Sequence, residues 1–427
     1  MCTFMNIFLL TSRNNLRPLL VMFFFFISQY FGFSPAVQIS SGLYPGTTPD
    51  PPREYEKSAI VFICAVVLFL SIGYFFARKR GSKQKLLPYG PKIQEISTGI
   101  PKFEVLVALI AINIFYITFV GAEYFFTSFY ELGLALESKF KTRIFIAIAR
   151  SLGTLPLATC LALILSRASM KDLSKPYRAC VYISFITLFV SCNPVSSFRV
   201  MVGMVWGSLI LAKALKISQN RFSSVFKLYI IAMFYLFPLA DYFRNRKREL
   251  ENPISIQSLT SGDFDSYAQL LNSFAFISEK GIGWGSQIVS LPLFWVPRSF
   301  WPEKPLDSAV LISDFRGYTF DNLSMPVMAE LLLDFGFIGT GMIFILVGKY
   351  LFKLDAYFVS SDVAPPKVPI FTLFLIPYSL MLFRGSLLQA VSPIAVVFLA
   401  TRVLNFRILS VDVFDKTLQN RKRKESQ

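Results

Sequence analysis

ACVYISFITLFVSCNPVSSFRVMVGMVWGSLILAKAL, residues 179 to 215, decides how many times this chain crosses a membrane. A helix rises about 1.5 Å per residue, and hydrocarbon about 30 Å thick takes about 20 apolar residues to cross. The run is too long for one ordinary span and barely enough for two. At its middle stands Asn193-Pro194. Proline donates no backbone hydrogen bond and pushes the residue before it out of the helical region, so a turn belongs there. We read two short helices joined at Asn193-Pro194 rather than one long tilted helix.

Working outward, the same criterion gives about ten spans, starting near Pro18, Ala59, Glu104, Ile144, Ala179, Val200, Phe226, Val327, Ile370 and Ser386. With the N-terminus inside, the cytoplasmic segments receive Arg13 and Arg17, the RKRGSKQK run from Arg78, Arg167 to Arg178, Lys213 to Lys227, Lys349 to Lys367, and a basic tail, 403–427, ending in RKRK at Lys424. These hold most of the 43 basic residues, as the positive-inside rule requires, and place both termini in the cytoplasm. One helix fewer at 179–215 would put either RKRGSKQK or the RKRK tail outside. Residues 241–326 form one long external loop. Loops beyond about 60 residues escape the charge rule, so its basic residues do not oppose this topology. The first apolar run lacks a small-residue cleavage site and is expected to stay as an anchor, followed by the external loop SSGLYPGTTPDPP. The expected fold class is an all-α polytopic membrane protein, one integral domain over 1–427.

Composition agrees. The chain is 54% hydrophobic and 16% aromatic, with 46 phenylalanines and a mean hydropathy of +0.53, far from a soluble domain. A net charge of +17 would suit nucleic acid, but its placement beside apolar spans excludes that partner in favour of membrane lipid. Of the five cysteines, Cys64, Cys160, Cys180 and Cys192 lie in apolar runs without metal-ligand spacing, so no disulfide framework is expected. Histidine is absent, which excludes a histidine base, a Ser-His-Asp triad and histidine-ligated metal sites. No internal repeat of the kind that builds many transporters is visible. We expect no cofactor and no metal.

Chemistry therefore falls to arginine, lysine and carboxylates. Within the long loop, VPRSFWPEKPL from Val296 to Leu306 presents Arg298 and Lys304 on a segment stiffened by Pro297, Pro302 and Pro305. Trp295 and Trp301 bracket Arg298; their plain role is the interfacial aromatic belt, their sharper one sugar stacking. Arginine grips phosphate oxygens with a planar fork and stays charged. Arg150 lies inside a span, Arg199 at the hairpin bend, Arg316 in the loop and Arg384 before the last span. The bland alternative gives each a carboxylate partner or an interfacial position; Arg150 least fits it, because charge inside a bilayer needs compensation. Acidic candidates are Asp241, Asp263, Asp265, Glu330 and Asp334. Asp263 is expected to cap an amphipathic helix through Phe264, Tyr267, Leu271, Phe274 and Ile277, ending near Gly281. Glu330 and Asp334 share a face at a helix start opened by Pro326. IVSLPLFWV, Ile288 to Val296, is too short to cross and reads as interfacial or re-entrant.

The order DFDSYAQLLNSFAFISEKGIGWGSQ, PRSFWPEKP, SMPVMAELLLDFGFIGTGMIFILVG and FRGSL resembles the bacterial O-antigen and oligosaccharide repeat-unit polymerases (Wzy-type). The resemblance covers the second half; the first half is similar only in hydropathy. It implies a GT-C-like bundle in the bacterial inner membrane. That bundle would be a metal-independent glycosyltransferase, passing a glycan from an undecaprenyl diphosphate carrier to a sugar hydroxyl of another carrier-linked repeat unit. It also implies a flippase and a chain-length regulator of the same pathway as partners. The positions matched are Arg298, Lys304, Glu330 and Arg384. The related ligases use a histidine that this chain lacks. On this reading Arg199, Arg298 and Arg384 bind the diphosphate with Arg150, Lys304 and Arg316 in support. Glu330 accepts the acceptor proton, with Asp263 second. The rivals are a flippase of the same lipid-linked glycans and a non-enzymatic scaffold.

Overall fold

The computed structural model describes residues 16–83, 99–140, 142–239, 259–358, 368–405 and 410–411. Asp241 and most of the basic tail lie outside the described residues. A helix stands at each expected position: Pro18–Ser28 continuing to Ser41, Glu56–Lys83, Phe103–Val120, Arg143–Arg167, Lys175–Ser191, Arg199–Ile217, Gln219–Leu239, Val327–Asp355, Ile370–Arg384 and Leu387–Leu404. Seven are long and apolar enough to cross a membrane, and Ile370–Arg384 is a shorter apolar helix. The chain is an all-α membrane protein; its only strands among the described residues are Ile100–Pro101 and Ser410–Val411, paired antiparallel.

The deciding stretch is two helices, and Asn193 explains why. Its Oδ1 accepts the N–H groups of Val195 (2.9 Å) and Ser196 (3.1 Å), and its Nδ2 donates to the Phe125 carbonyl (2.8 Å). The side chain thus supplies the hydrogen bonds that a continuing helix would have made. Trp206 Nε1 donates to the Cys192 carbonyl (2.8 Å) and closes the end of the first helix. The next helix begins at Gln219 rather than near Phe226, because only Ser218, in extended conformation, separates it from Arg199–Ile217.

By contact the chain divides into two compact units: Met1–Pro91 with Asn252–Pro366 and Ser379–Val391, and Lys92–Glu251 with Lys367–Tyr378 and Ser392–Gln427. In the second unit, Arg143–Arg167 packs against Phe103–Val120, Lys175–Ser191 and Arg199–Ile217. Asn113 clasps it by donating to the Gly153 carbonyl (2.6 Å) and to Ser191 Oγ (3.0 Å).

In the first unit, Glu56–Lys83 and Val327–Asp355 run together at very close approach. A Cβ on Gly73 would stand 1.9 Å from the Ile345 carbonyl oxygen, and one on Gly348 2.1 Å from that of Leu70. Without a hydrophobic drive between helices in lipid, such small-residue contact is what holds spans together. Gly73→Ala and Gly348→Leu are each expected to lower stability by about 3 kcal/mol, read as a fall in the melting temperature of the purified protein; unchanged melting would rule out this backbone contact. The first helix starts at Pro18, which has no N–H to lose. Asp355 caps it from a distance, accepting the N–H groups of Leu19 (2.9 Å) and Leu20 (3.1 Å). A π turn, Gln29–Phe33, precedes Ser34–Ser41 where Pro35 removes a donor.

Candidate functional site

The described part of the long loop, 259–326, belongs to the first unit. Its main helix is Ser266–Lys280, packed on Val327–Asp355 and ending at Gly281, whose φ of 79° suits glycine. The expected cap is corrected: Asp263 stands in a preceding 3₁₀ turn, Gly262–Phe264, and Asp265 takes the N-cap position without a side-chain capping bond. Gln38 Nε2 holds that turn by donating to the carbonyls of Leu259 and Phe264, each at 2.9 Å, while Tyr30 stacks on Phe264. Asp263 is left facing Arg384, with which it ion-pairs; each side chain is 20% exposed. The interval between Arg384 and the last helix is then fixed on every side. Met325 N–H donates to the Arg384 carbonyl (3.0 Å) and Ser266 Oγ to that of Phe383 (2.9 Å). Ser386 Oγ donates to Asp307 Oδ2 (2.7 Å), and Leu387 N–H to Glu330 Oε2 (2.8 Å).

Glu330, only 2% exposed, is thereby aimed by the first turn of the last helix. Asp265, also 2% exposed, accepts the Ser324 N–H (3.2 Å) and the Thr47 hydroxyl (3.5 Å) with Oδ2. Asp307 caps Ser308–Arg316 by accepting the Ala309 N–H (2.9 Å). Burial pushes the carboxyls of both Asp265 and Asp307 above the ordinary carboxylate range; hydrogen bonds from Ser324 and Ser386 only partly offset it. A group whose folded value is raised contributes stability that is complete below its unfolded value, near 3.9, and is lost as pH rises toward its folded value. Asp265→Asn keeps the acceptor for Ser324. Its melting temperature, compared with the wild type, is expected to gain as pH rises above about 4; a pH-independent difference would remove buried charge as the cause.

The remaining loop residues have other occupations. Arg298 is exposed and donates to the carbonyls of Lys304 (2.6 Å) and Pro305 (3.0 Å). Lys304, 3% exposed, donates Nζ to the carbonyls of Phe294 (2.7 Å) and Val296 (3.0 Å), and burial lowers its pKa, with Arg298 adding to the effect. The two cations therefore brace the PRSFWPEKP turn from within. Arg316 donates to the Asp50 carbonyl (2.7 Å) and lies over Tyr318. Trp295 is exposed and Trp301 half-buried; Trp284 and Phe300 are exposed as well. Arg150 lies over the Phe129 ring at 5.6 Å, and Arg199 opens its helix; both belong to the second unit.

Asp334 is buried and has partners of its own. Val327–Asp355 breaks at Gly336 (φ 63°), and the carbonyls of Leu333 and Asp334 accept N–H groups from Gly283 (2.8 Å) and Gly285 (3.2 Å) instead of helical ones. The Asp334 carboxylate accepts from Gln287 (3.2 Å) and Ile288 (2.8 Å). Sequence reasoning passed over Asp307, whose signal was present as an N-cap aspartate before SAVLISDFR. Among the described residues, no group of three histidine, cysteine or acidic side chains is placed to hold a metal ion.

No protein-family model matches this chain, no curated protein matches it in sequence, and no solved structure matches it. The class that fold and composition define is a helical protein embedded in a membrane by several apolar spans.

Proposed function

We infer that the protein is a repeat-unit polymerase of the Wzy type, a ten-span, GT-C-like glycosyltransferase of the bacterial inner membrane. Both termini are cytoplasmic, and the cluster around Arg384 lies on the external side. The observation that carries the reading is a convergence. DFDSY, LDS at 306–308, SMPVMAE and FRGSL are far apart in sequence, yet they meet through Asp263 with Arg384, Asp265 with Ser324, Asp307 with Ser386, and Glu330 with Leu387. All but LDS fall in segments that carried the resemblance, and LDS directly follows one.

In the proposed step the acceptor hydroxyl oxygen forms a bond to the anomeric carbon of the donor glycan, and the bond from that carbon to the diphosphate oxygen breaks. The hydroxyl proton passes to Glu330. The lipid diphosphate leaves with both electrons of the broken bond and is held by Arg384, for which the phosphate oxygens replace Asp263. A diphosphate is already a good leaving group, so orientation and charge stabilisation are the main demands. Arg298 and Lys304 serve by fixing the Trp295–Pro305 turn at the membrane surface rather than by gripping phosphate.

Purified protein incubated with lipid-diphosphate-linked repeat units is expected to yield longer glycans without any nucleotide sugar. If the units stay single while the protein moves them across a vesicle bilayer, the flippase reading replaces this one.

A further inference from the structure

Buried polar atoms in folded proteins almost always have a hydrogen-bond partner, so two lacking one on the same helix face call for an explanation. On Ser266–Lys280 and its N-cap, Asp265, Gln269 and Asn272 follow at i, i+4 and i+7 and form one polar stripe; all three are buried, Gln269 at 0% exposure. Asp265 commits Oδ2 to Ser324 and Thr47, while its Oδ1 finds no partner among the described residues. Gln269 commits its carbonyl oxygen to Asn272 Nδ2 (3.2 Å), which leaves its Nε2 as the end without a partner among the described residues. An acceptor and a donor therefore stand one turn apart, at a Cβ spacing of roughly 5–6 Å. Thr47 and Pro49 border this stripe. Thr47 bonds Asp265, and the Pro49 carbonyl accepts from Tyr318 Oη (3.2 Å), which also accepts from Asn272 Nδ2 (3.3 Å).

A ligand that satisfies both atoms must offer donor and acceptor groups side by side on a compact neutral frame. Adjacent hydroxyls of a pyranose do so, each giving one hydrogen and accepting another. A diphosphate, all acceptor, would meet repulsion at Asp265. We propose that the Asp265–Gln269–Asn272 stripe, bordered by Thr47 to Pro49, is a carbohydrate subsite that binds acceptor-sugar hydroxyls. This rests on the polymerase reading for the word acceptor. The stripe and Arg384 are linked through Ser266, whose hydroxyl donates to the Phe383 carbonyl, so an acceptor held here lies beside the segment proposed to hold the diphosphate.

The test uses full-length protein in nanodiscs and, as probe, the repeat-unit oligosaccharide cut from the source cell's own surface polysaccharide, bearing neither lipid nor diphosphate. Calorimetry is expected to show binding by the wild type and a loss of at least tenfold in Gln269→Leu. Gln269→Glu, nearly identical in volume, is expected to lose binding as well, because it replaces the donor by a second acceptor; it carries the test if the leucine variant does not fold. Binding of inorganic pyrophosphate should be unchanged in both. No binding by the wild type, or equal binding by both variants, overturns the subsite, as would be found if ordered water alone satisfied the two atoms. Failure of the subsite is distinguishable from failure of the polymerase reading. Extension of lipid-linked units with an unchanged acceptor KM in Gln269→Leu sinks the subsite and keeps the polymerase. Gln269-dependent oligosaccharide binding without any extension does the reverse.

Discussion

Glu330→Gln is expected to lower the rate of glycan extension by about 10²–10⁴-fold, the usual range for loss of a general base. The substitution is nearly neutral for the fold, because the amide carbonyl can still accept the Leu387 N–H that now reaches Glu330 Oε2. It also removes a carboxylate that is 2% exposed, where an uncompensated charge would be unfavourable. The variant should therefore melt at or above the wild-type temperature while making almost no polymer. Extension is read as the ladder of lipid-linked products over time, against protein level in the same membranes. A full ladder from Glu330→Gln would take the base assignment away, and Asp307 on the neighbouring helix would be the next carboxylate to test.

Arg384→Ala is the second large effect. Charge-assisted hydrogen bonds to phosphate are worth about 1.5–3 kcal/mol, so donor affinity should fall by roughly 10–150-fold, read in KM for the lipid-linked donor. Truncation also breaks the ion pair with Asp263, each partner only 20% exposed, and losing one partner of such a pair destabilises a protein in its own right. The double variant Asp263→Ala with Arg384→Ala separates the two effects. Melting should return toward the wild type once both partners of the pair are gone, whereas donor KM should stay raised. If removing Asp263 restores both, Arg384 is a structural partner and not a diphosphate ligand. Arg384→Lys keeps the charge but loses the planar fork, and is expected to fall between wild type and alanine.

The helices and their breaks were legible because hydropathy and proline act locally. The Asn193-Pro194 turn needed only the proline's missing donor and a side chain able to imitate backbone. The choice among neighbouring residues was less legible. DFD at 263–265 offers two aspartates separated by a single residue. Which one meets Arg384 and which faces Ser324 depends on Gln38 reaching in from the first helix. DFGFIGTG at 334–341 offers three glycines, and contact with Gly283 and Gly285 makes Gly336 the break, its φ at 63°.

The sequence by itself determined an apolar, histidine-free helical chain with a basic surplus, since hydrophobicity and residue chemistry are summed along the chain and need no folding to be read. Tertiary structure alone decided which cations are occupied. Arg298 and Lys304 bond carbonyls six to ten residues away, while Arg384 finds its carboxylate 121 residues away. Hydrogen-bond partners of long side chains are set by which backbone groups burial leaves unsatisfied nearby, and that is known only once distant segments have packed.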